Sequence, residues 1–147
     1  MEKLELIKAQ ESDKDFLFKL RKATMVEHLE KMGIFLSDEE HLSRINFQFD
    51  SAYILLKSNQ KTGVLKYIET EHLIEILQIQ VLPEYQGHGI GKSVIKDLIE
   101  TAKTSNKNII LKVLKENPAR YLYERIGFNT VDEDNYEFHM QLIPNKT

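Results

Sequence analysis

Hydrophobic positions change their spacing several times along the chain, and each change marks an element. Leu4–Ala9 alternates weakly and predicts a first strand. Ser12 or Asp13 can cap a helix, with Asp15 in its first turn complementing the helix dipole. Phe16, Leu17, Leu20 and Thr24 form its stripe, and Gly33 is its predicted stop. Ser37-Asp38-Glu39-Glu40 reads as a capping box, opening a second helix with Leu42, Ile45 and Phe49 on its inner face. The period then drops to two. Ala52–Leu56 and Val64–Ile68 read as strands joined through a Ser58-Asn59-Gln60-Lys61 turn region. Leu73–Val81 is a longer strand ended by Pro83.

In the second half, Ile90, Val94, Ile95, Leu98, Ile99 and Ala102 return to helical spacing. Ile109–Leu114 is almost continuously apolar, as a strand buried on both faces requires. Asn117-Pro118 opens another helix with proline at its first position, Ala119, Leu122, Tyr123 and Ile126 form its stripe, and Gly127 closes it. Tyr136–Leu142 is a last strand. The predicted order is β-α-α-β-β-β-α-β-α-β. Hairpin spacing in the first half and a β-α-β crossover in the second imply an α/β (α+β) fold, a mixed central sheet flanked by helices. With no repeat or linker, residues 1–147 read as a single domain.

Composition narrows the classes. Hydrophobic residues at 41% and charged residues at 29% describe a soluble globular chain rather than a disordered one. The beginning, Met1-Glu2-Lys3-Leu4-Glu5, lacks a secretory pattern, no apolar run is long enough to span a bilayer, and cysteine is absent. These features predict a cytoplasmic protein with no membrane partner. The net charge of −3 hides an asymmetry: residues 86–127 carry 8 Lys+Arg against 4 Asp+Glu, while both flanking segments are acidic. The acidic total argues against nucleic-acid binding. The local basic segment would attract a polyanion, although solvated lysines on helix faces account for most of it.

That basic segment starts at Gln86-Gly87-His88-Gly89-Ile90-Gly91, directly before a helix. Glycines let backbone approach a ligand closely, and a helix N-terminus offers unpaired N–H groups, so the pair makes a phosphate site. Three phosphate loops compete. Gly91-Lys92-Ser93 would end a P-loop, but its first glycine falls on Gln86. A dinucleotide fingerprint places its third glycine on Lys92 or Val94. The pattern Gln/Arg-x-x-Gly-x-Gly/Ala is matched in full by Gln86, Gly89 and Gly91.

Through that pattern, the approach Val81-Leu82-Pro83-Glu84-Tyr85, and Asn117-Pro118-Ala119-Arg120-Tyr121-Leu122-Tyr123 followed by Gly127-Phe128, the chain resembles the GNAT (GCN5-related) N-acetyltransferase superfamily over residues 4–143. The resemblance implies acetyl-CoA as cofactor. It places the coenzyme A diphosphate on Gln86, Gly87, His88, Gly89, Ile90 and Gly91, with Lys92 and Ser93 behind them, the backbone amides doing the binding. It places the pantetheine arm against Ile79, Gln80 and Val81, with the Val81 amide on the thioester carbonyl. It also implies a cofactor contact for Asn117, although relatives commonly hold one more residue between this asparagine and the tyrosine.

Tyr123 matches the tyrosine that protonates the departing thiolate in this family; a core tyrosine in an amphipathic helix is the competing reading. Glu75, eleven residues before Gln86, matches the general-base glutamate of the histone acetyltransferase branch, against an exposed strand glutamate or water as the base. The branch that acetylates protein N-termini carries a glutamate in the following strand, where this chain has Lys112. His28, His41, His72 and His139 lack metal-ligand spacing and Ser93 lacks a triad arrangement, so no metal is expected, and the absence of cysteine predicts no covalent acyl-enzyme.

The expected activity is N-acetylation of a small-molecule or peptide amine by direct attack. The alternatives are a non-catalytic CoA-binding sensor on the same fold and a degenerate P-loop nucleotide binder. Relatives that dimerise make a homodimer one option. Residues 13–48 form the acceptor side by resemblance, and Glu27, Glu30, Asp38, Glu39 and Glu40 there suit either a cationic acceptor or plain solvation.

Overall fold

A computed structural model describes residues 4–144. Its elements are β1 (Leu4–Lys8), α1 (Lys14–Lys31), α2 (Asp38–Asn46), β2 (Ala52–Lys57), β3 (Gln60–Glu69), β4 (Leu73–Val81), α3 (Ile90–Ser105), β5 (Asn108–Leu114), α4 (Ala119–Ile126), β6 (Asn129–Glu133) and β7 (Glu137–Leu142). The strands form a seven-stranded mixed sheet in the order β1-β2-β3-β4-β5-β7-β6. β4 and β5 pair in parallel, while β1–β2, β2–β3, β5–β7 and β6–β7 are antiparallel. Among the described residues, no helix is long and apolar enough to cross a membrane.

The chain divides into two compact units, residues 1–66 with 78–90, and residues 67–77 with 91–147. In the first, Ala9, Leu17, Leu20, Ile45, Ala52, Ile54, Val64 and Leu82 form a buried cluster, with Phe16, Phe18, Phe49, Leu56 and Tyr85 packed against it. α1 ends as Gly33 predicts: Gly33 takes φ +77°, its N–H reaches Glu30 O, and the Ile34 N–H reaches Leu29 O at 2.9 Å. The Ser37 capping box is present, with reciprocal bonds of 3.1 and 3.0 Å to Glu40. The inner face of α2 differs from expectation. His41 and Ile45 are buried, Leu42 is exposed, and Phe49 lies in a turn beyond the helix.

The hairpin turn between β2 and β3 is shorter than the pattern suggests. Ser58 and Asn59 both sit in the left-handed region, at φ 53° and 63°, and form a two-residue turn that matches the strand twist. Gln60 and Lys61 therefore belong to β3. Register slips between Leu55↔Gly63 and Leu56↔Lys61, so Thr62 is an extra, unpaired residue: a β-bulge. Its hydroxyl donates to Leu55 O at 2.9 Å, and its carbonyl accepts from the Leu82 N–H at 2.8 Å.

The second unit buries Ile74 and Ile76 of β4, Val94, Ile95, Leu98 and Ala102 of α3, Ile109, Leu111 and Val113 of β5, and Phe128, Met140 and Leu142. Lys112 is exposed, so β5 is not buried on both faces along its whole length. β6 is absent from the predicted order. All five of its residues are exposed, and a polar strand at a sheet edge carries no hydrophobic alternation to reveal it. Pro118 stands one residue before α4 rather than in its first turn.

Candidate functional site

The glycine loop is anchored at both ends and open between them. Leu82 and Ile90 are buried, while Gln86, Gly87, His88 and Gly89 are exposed. Gln86 folds back, its side-chain amide donating to the Val81 carbonyl at 2.9 Å, so this side chain ties the loop to the end of β4. Gly87 and Gly89 take φ +81° and +78°, a conformation that penalises any Cβ. The Ile90 side chain is a core anchor, consistent with only its amide being available to a ligand.

Gly91 is different. It lies in the first turn of α3, outside the left-handed region, and a Cβ built there would meet nothing within 4 Å. Glycine in a helix costs about 0.5–1 kcal/mol relative to alanine, and nothing in the surrounding protein requires it. Open space over a helix N-terminus whose first turn carries no acidic residue and includes Lys92 fits an approaching diphosphate. Lys92 and Ser93 are exposed on that turn.

The end of β4 is held against β3 by an unusually close approach. A Cβ on Gly63 would stand 2.2 Å from Gln80 O and 3.1 Å from the Val81 Cα, so only glycine fits. With the Thr62–Leu82 bond and the Gln86–Val81 bond, this fixes the backbone of Gln80 and Val81. Ile79, Gln80 and Val81 are half-buried, and Gln80 accepts a 2.8 Å bond from the Gln78 amide. The parallel ladder registers four pairs, Leu73↔Asn108 to Ile76↔Leu111, and ends five residues before β4 does. Gly63 and Thr62 were not among the expected site residues. A glycine inside a strand is the signal that marks such a contact.

In the second unit, Glu75 pairs with Ile110 on β5, opposite in pleat to the buried Ile74 and Ile76. It is half-buried and makes no hydrogen bond or ion pair with protein among the described residues. Asn117 uses its side-chain oxygen to accept from the Ala119 N–H at 2.9 Å, starting α4. Tyr123 is held by the way α4 ends. The Gly127 N–H bonds Glu124 O, and the Phe128 N–H bonds Tyr123 O at 2.9 Å, a Schellman motif. Its hydrophobic contact is the Phe128 ring, 6.0 Å from the Tyr123 ring and tilted by 59°. Tyr123 is 6% exposed, and burial pushes its phenol up to about 12. Its hydroxyl has no protein partner among the described residues, yet it is not sealed from solvent.

The acids noted on the first two helices are solvated. Glu27, Glu30, Asp38, Glu39 and Glu40 are all exposed, Asp38 lies 3.0 Å from Lys22, and Glu40 serves the capping box.

The model of the acetyltransferase (GNAT) domain family matches residues 21–146. The [ribosomal protein bS18]-alanine N-acetyltransferase of Haemophilus influenzae is 34% identical over 84 residues, 54% of this chain; the match spans 58% of that relative's length. Among solved structures, the PaiA N-acetyltransferase of Thermoplasma acidophilum in complex with coenzyme A superposes with a TM-score of 0.72, at 19% identity over 96% of this chain and 99% of that one. The ribosomal-protein-S18-alanine N-acetyltransferase of Escherichia coli gives 0.67, at 18% identity over 99% and 96%. Acetyl-CoA is the acyl donor of the GNAT family. The chain therefore belongs to the GNAT acetyltransferase family, on a match covering most of its length and on the same fold.

Proposed function

We propose that this protein is an acetyl-CoA-dependent N-acetyltransferase that transfers the acetyl group to an amine by direct attack. The amides of residues 86–91 and the start of α3 hold the coenzyme A diphosphate, with Lys92 and Ser93 beside it. Ile79, Gln80 and Val81 pair with the pantetheine arm. Acetyl-CoA supplies an acyl thioester; a C–N bond forms, the C–S bond breaks, and one proton passes from the amine to the sulfur.

Tyr123 and Glu75 divide the proton work. A phenol held near 12 remains protonated at neutral pH, and full transfer to a thiolate of ordinary pKa about 8.5 would run uphill. Tyr123 therefore donates a hydrogen bond to the sulfur as charge develops there, a task that suits a hydroxyl with no protein partner. Glu75, free of ion pairs among the described residues, takes the amine proton directly or through water. Asn117 contributes by starting the helix that carries Tyr123.

The observation that carries this reading over a non-catalytic CoA sensor is the Tyr123 hydroxyl, on a buried ring and with no protein partner among the described residues. The test is a panel of amines with acetyl-CoA, following release of free CoA thiol. Amine-dependent release is expected, and Tyr123→Phe should lower kcat about 100-fold with acetyl-CoA affinity unchanged in calorimetry. Tight acetyl-CoA binding without release for any amine would favour the sensor. Binding of ATP with Mg²⁺ in place of acetyl-CoA would favour the P-loop alternative.

A further inference from the structure

Two cationic side chains are buried in the first unit with no acid paired to either among the described residues. Arg21 on α1 is 7% exposed, and Lys66 on β3 is 3% exposed. Lys66 is satisfied: its Nζ donates to the carbonyls of Arg44, Ile45 and Phe47 at 3.2, 3.2 and 2.6 Å, groups left open where α2 ends. Arg21 is not. Its Nε donates to Nδ1 of His41 at 2.9 Å, and that ring is itself buried. The bond requires an unprotonated Nδ1, so His41 is neutral and carries its proton on Nε2.

The two terminal nitrogens of the Arg21 guanidinium have no protein acceptor among the described residues, and neither is sealed from solvent. The charges that act on this group are cationic. Burial and then Arg44 bring Arg21 down to about 10, and burial and then Arg21 bring Lys66 down to about 8. Asp13 pairs with Lys61 at 2.6 Å, Asp38 with Lys22 and Glu40 with Ser37, and among the described residues no acid forms a salt bridge with Arg21. Buried charges in folded proteins are commonly paired, and among the described residues no acid side chain pairs with Arg21.

We propose that Arg21 receives a carboxylate of the acceptor, which makes the acceptor an amine that also carries a carboxylate group. The inference rests on the acetyl-transfer reading above and names its substrate class. A planar guanidinium fork matches a carboxylate in two parallel hydrogen bonds. Neutral His41 holds the Nε edge, leaving the outer N–H pair for the ligand. Lys66 adds positive field, with its own donors already used on the end of α2. Lys66 itself borders a close-packed apolar cleft together with Leu17, Ile45, Ala52, Val64 and Gln78. Leu17 lies one turn before Arg21 on α1, and Gln78 precedes the Ile79–Val81 segment on β4.

The experiment uses matched acceptors that differ only in the acid: glycine, β-alanine and γ-aminobutyrate, each against its amide. A second arm uses dipeptide amides with a free N-terminus ending in Asp or Asn. The two arms separate a free amino acid from a peptide as the source of the carboxylate. At least one pair should favour the carboxylate in kcat/KM by about tenfold or more. Arg21→Gln should erase that preference through KM while leaving acetyl-CoA affinity unchanged, and Arg21→Lys should restore part of it. Propionate, and not propionamide, should compete with the acceptor for the native protein, a readout that survives if a variant fails to fold. Equal kcat/KM within every pair, or a preference that persists in Arg21→Gln, would overturn the proposal. If no amine releases thiol, the acetyl-transfer reading fails. Calorimetric binding of the same pairs to the CoA-loaded protein then decides separately: carboxylate binding lost in Arg21→Gln supports the carboxylate site, and no selective binding overturns it.

Discussion

The two units bury different chemistry. Among the described residues, every buried charged side chain lies in the first, Asp13, Arg21 and Lys66, and so do the buried neutral His41 and Thr62. The second unit buries aliphatic side chains, Met140, Phe128 and Tyr123. Apolar burial stabilises without directional demands, whereas a buried cation is tolerated only where oxygens or an anion meet it. The second unit therefore surrounds Tyr123, proposed above as the catalytic hydroxyl, with apolar packing, and the first holds the cations on which the proposed carboxylate site rests.

Removing apolar packing from the second unit should produce the largest change. Phe128→Ala deletes a ring that is 2% exposed and should cost about 3–5 kcal/mol in denaturant unfolding. A cost below about 1 kcal/mol would mean that this unit does not depend on its apolar packing. The buried lysine of the first unit sets a pH test. Its folded-state value, about 8, lies below the ordinary 10.5, so the protonated form penalises folding fully below pH 8. The penalty fades as pH rises from 8 to 10.5. Relative to Lys66→Met, the native protein should therefore gain stability across that window, by up to about 3 kcal/mol. A flat difference between pH 8 and 10 would place the charge in solvent.

Gly63→Ala adds a methyl 2.2 Å from Gln80 O, and overpacking of this kind costs about 1–3 kcal/mol. It should also weaken acetyl-CoA binding, because it displaces the end of β4. An unchanged melting temperature would show that β3 and β4 can part without penalty. The smallest effect on stability is expected at Gly91→Ala, a gain of at most about 1 kcal/mol, since the space is open and alanine suits a helix. Acetyl-CoA affinity should nevertheless fall. Unchanged affinity in calorimetry would remove the loop's claim to the diphosphate.

Much of this architecture is legible along the chain because its causes are local. A capping box closes within Ser37–Glu40, and Gly33 and Gly127 end helices through bonds spanning one turn. β4 runs over Leu73–Val81 as its hydrophobic run predicts. The glycine spacing at 86–91 and the Asn117–Phe128 segment led to the GNAT family by the same local route. β6 escaped because an exposed edge strand needs no apolar pattern. The Thr62 bulge escaped because register is decided by the partner strand.

The sequence by itself determined where helices start and stop and, through its glycine loop and the Asn117–Phe128 segment, the family. Only the tertiary structure decided that Gly63 must lie against Gln80, that Arg21 leans on a neutral His41 twenty residues away, and that Lys66 closes α2. The reason is range. Caps and turns are written in neighbouring residues, while the burial of a charge depends on which distant backbone and side chains surround it, and lysine or arginine reads the same in a sequence whether it meets water or a core.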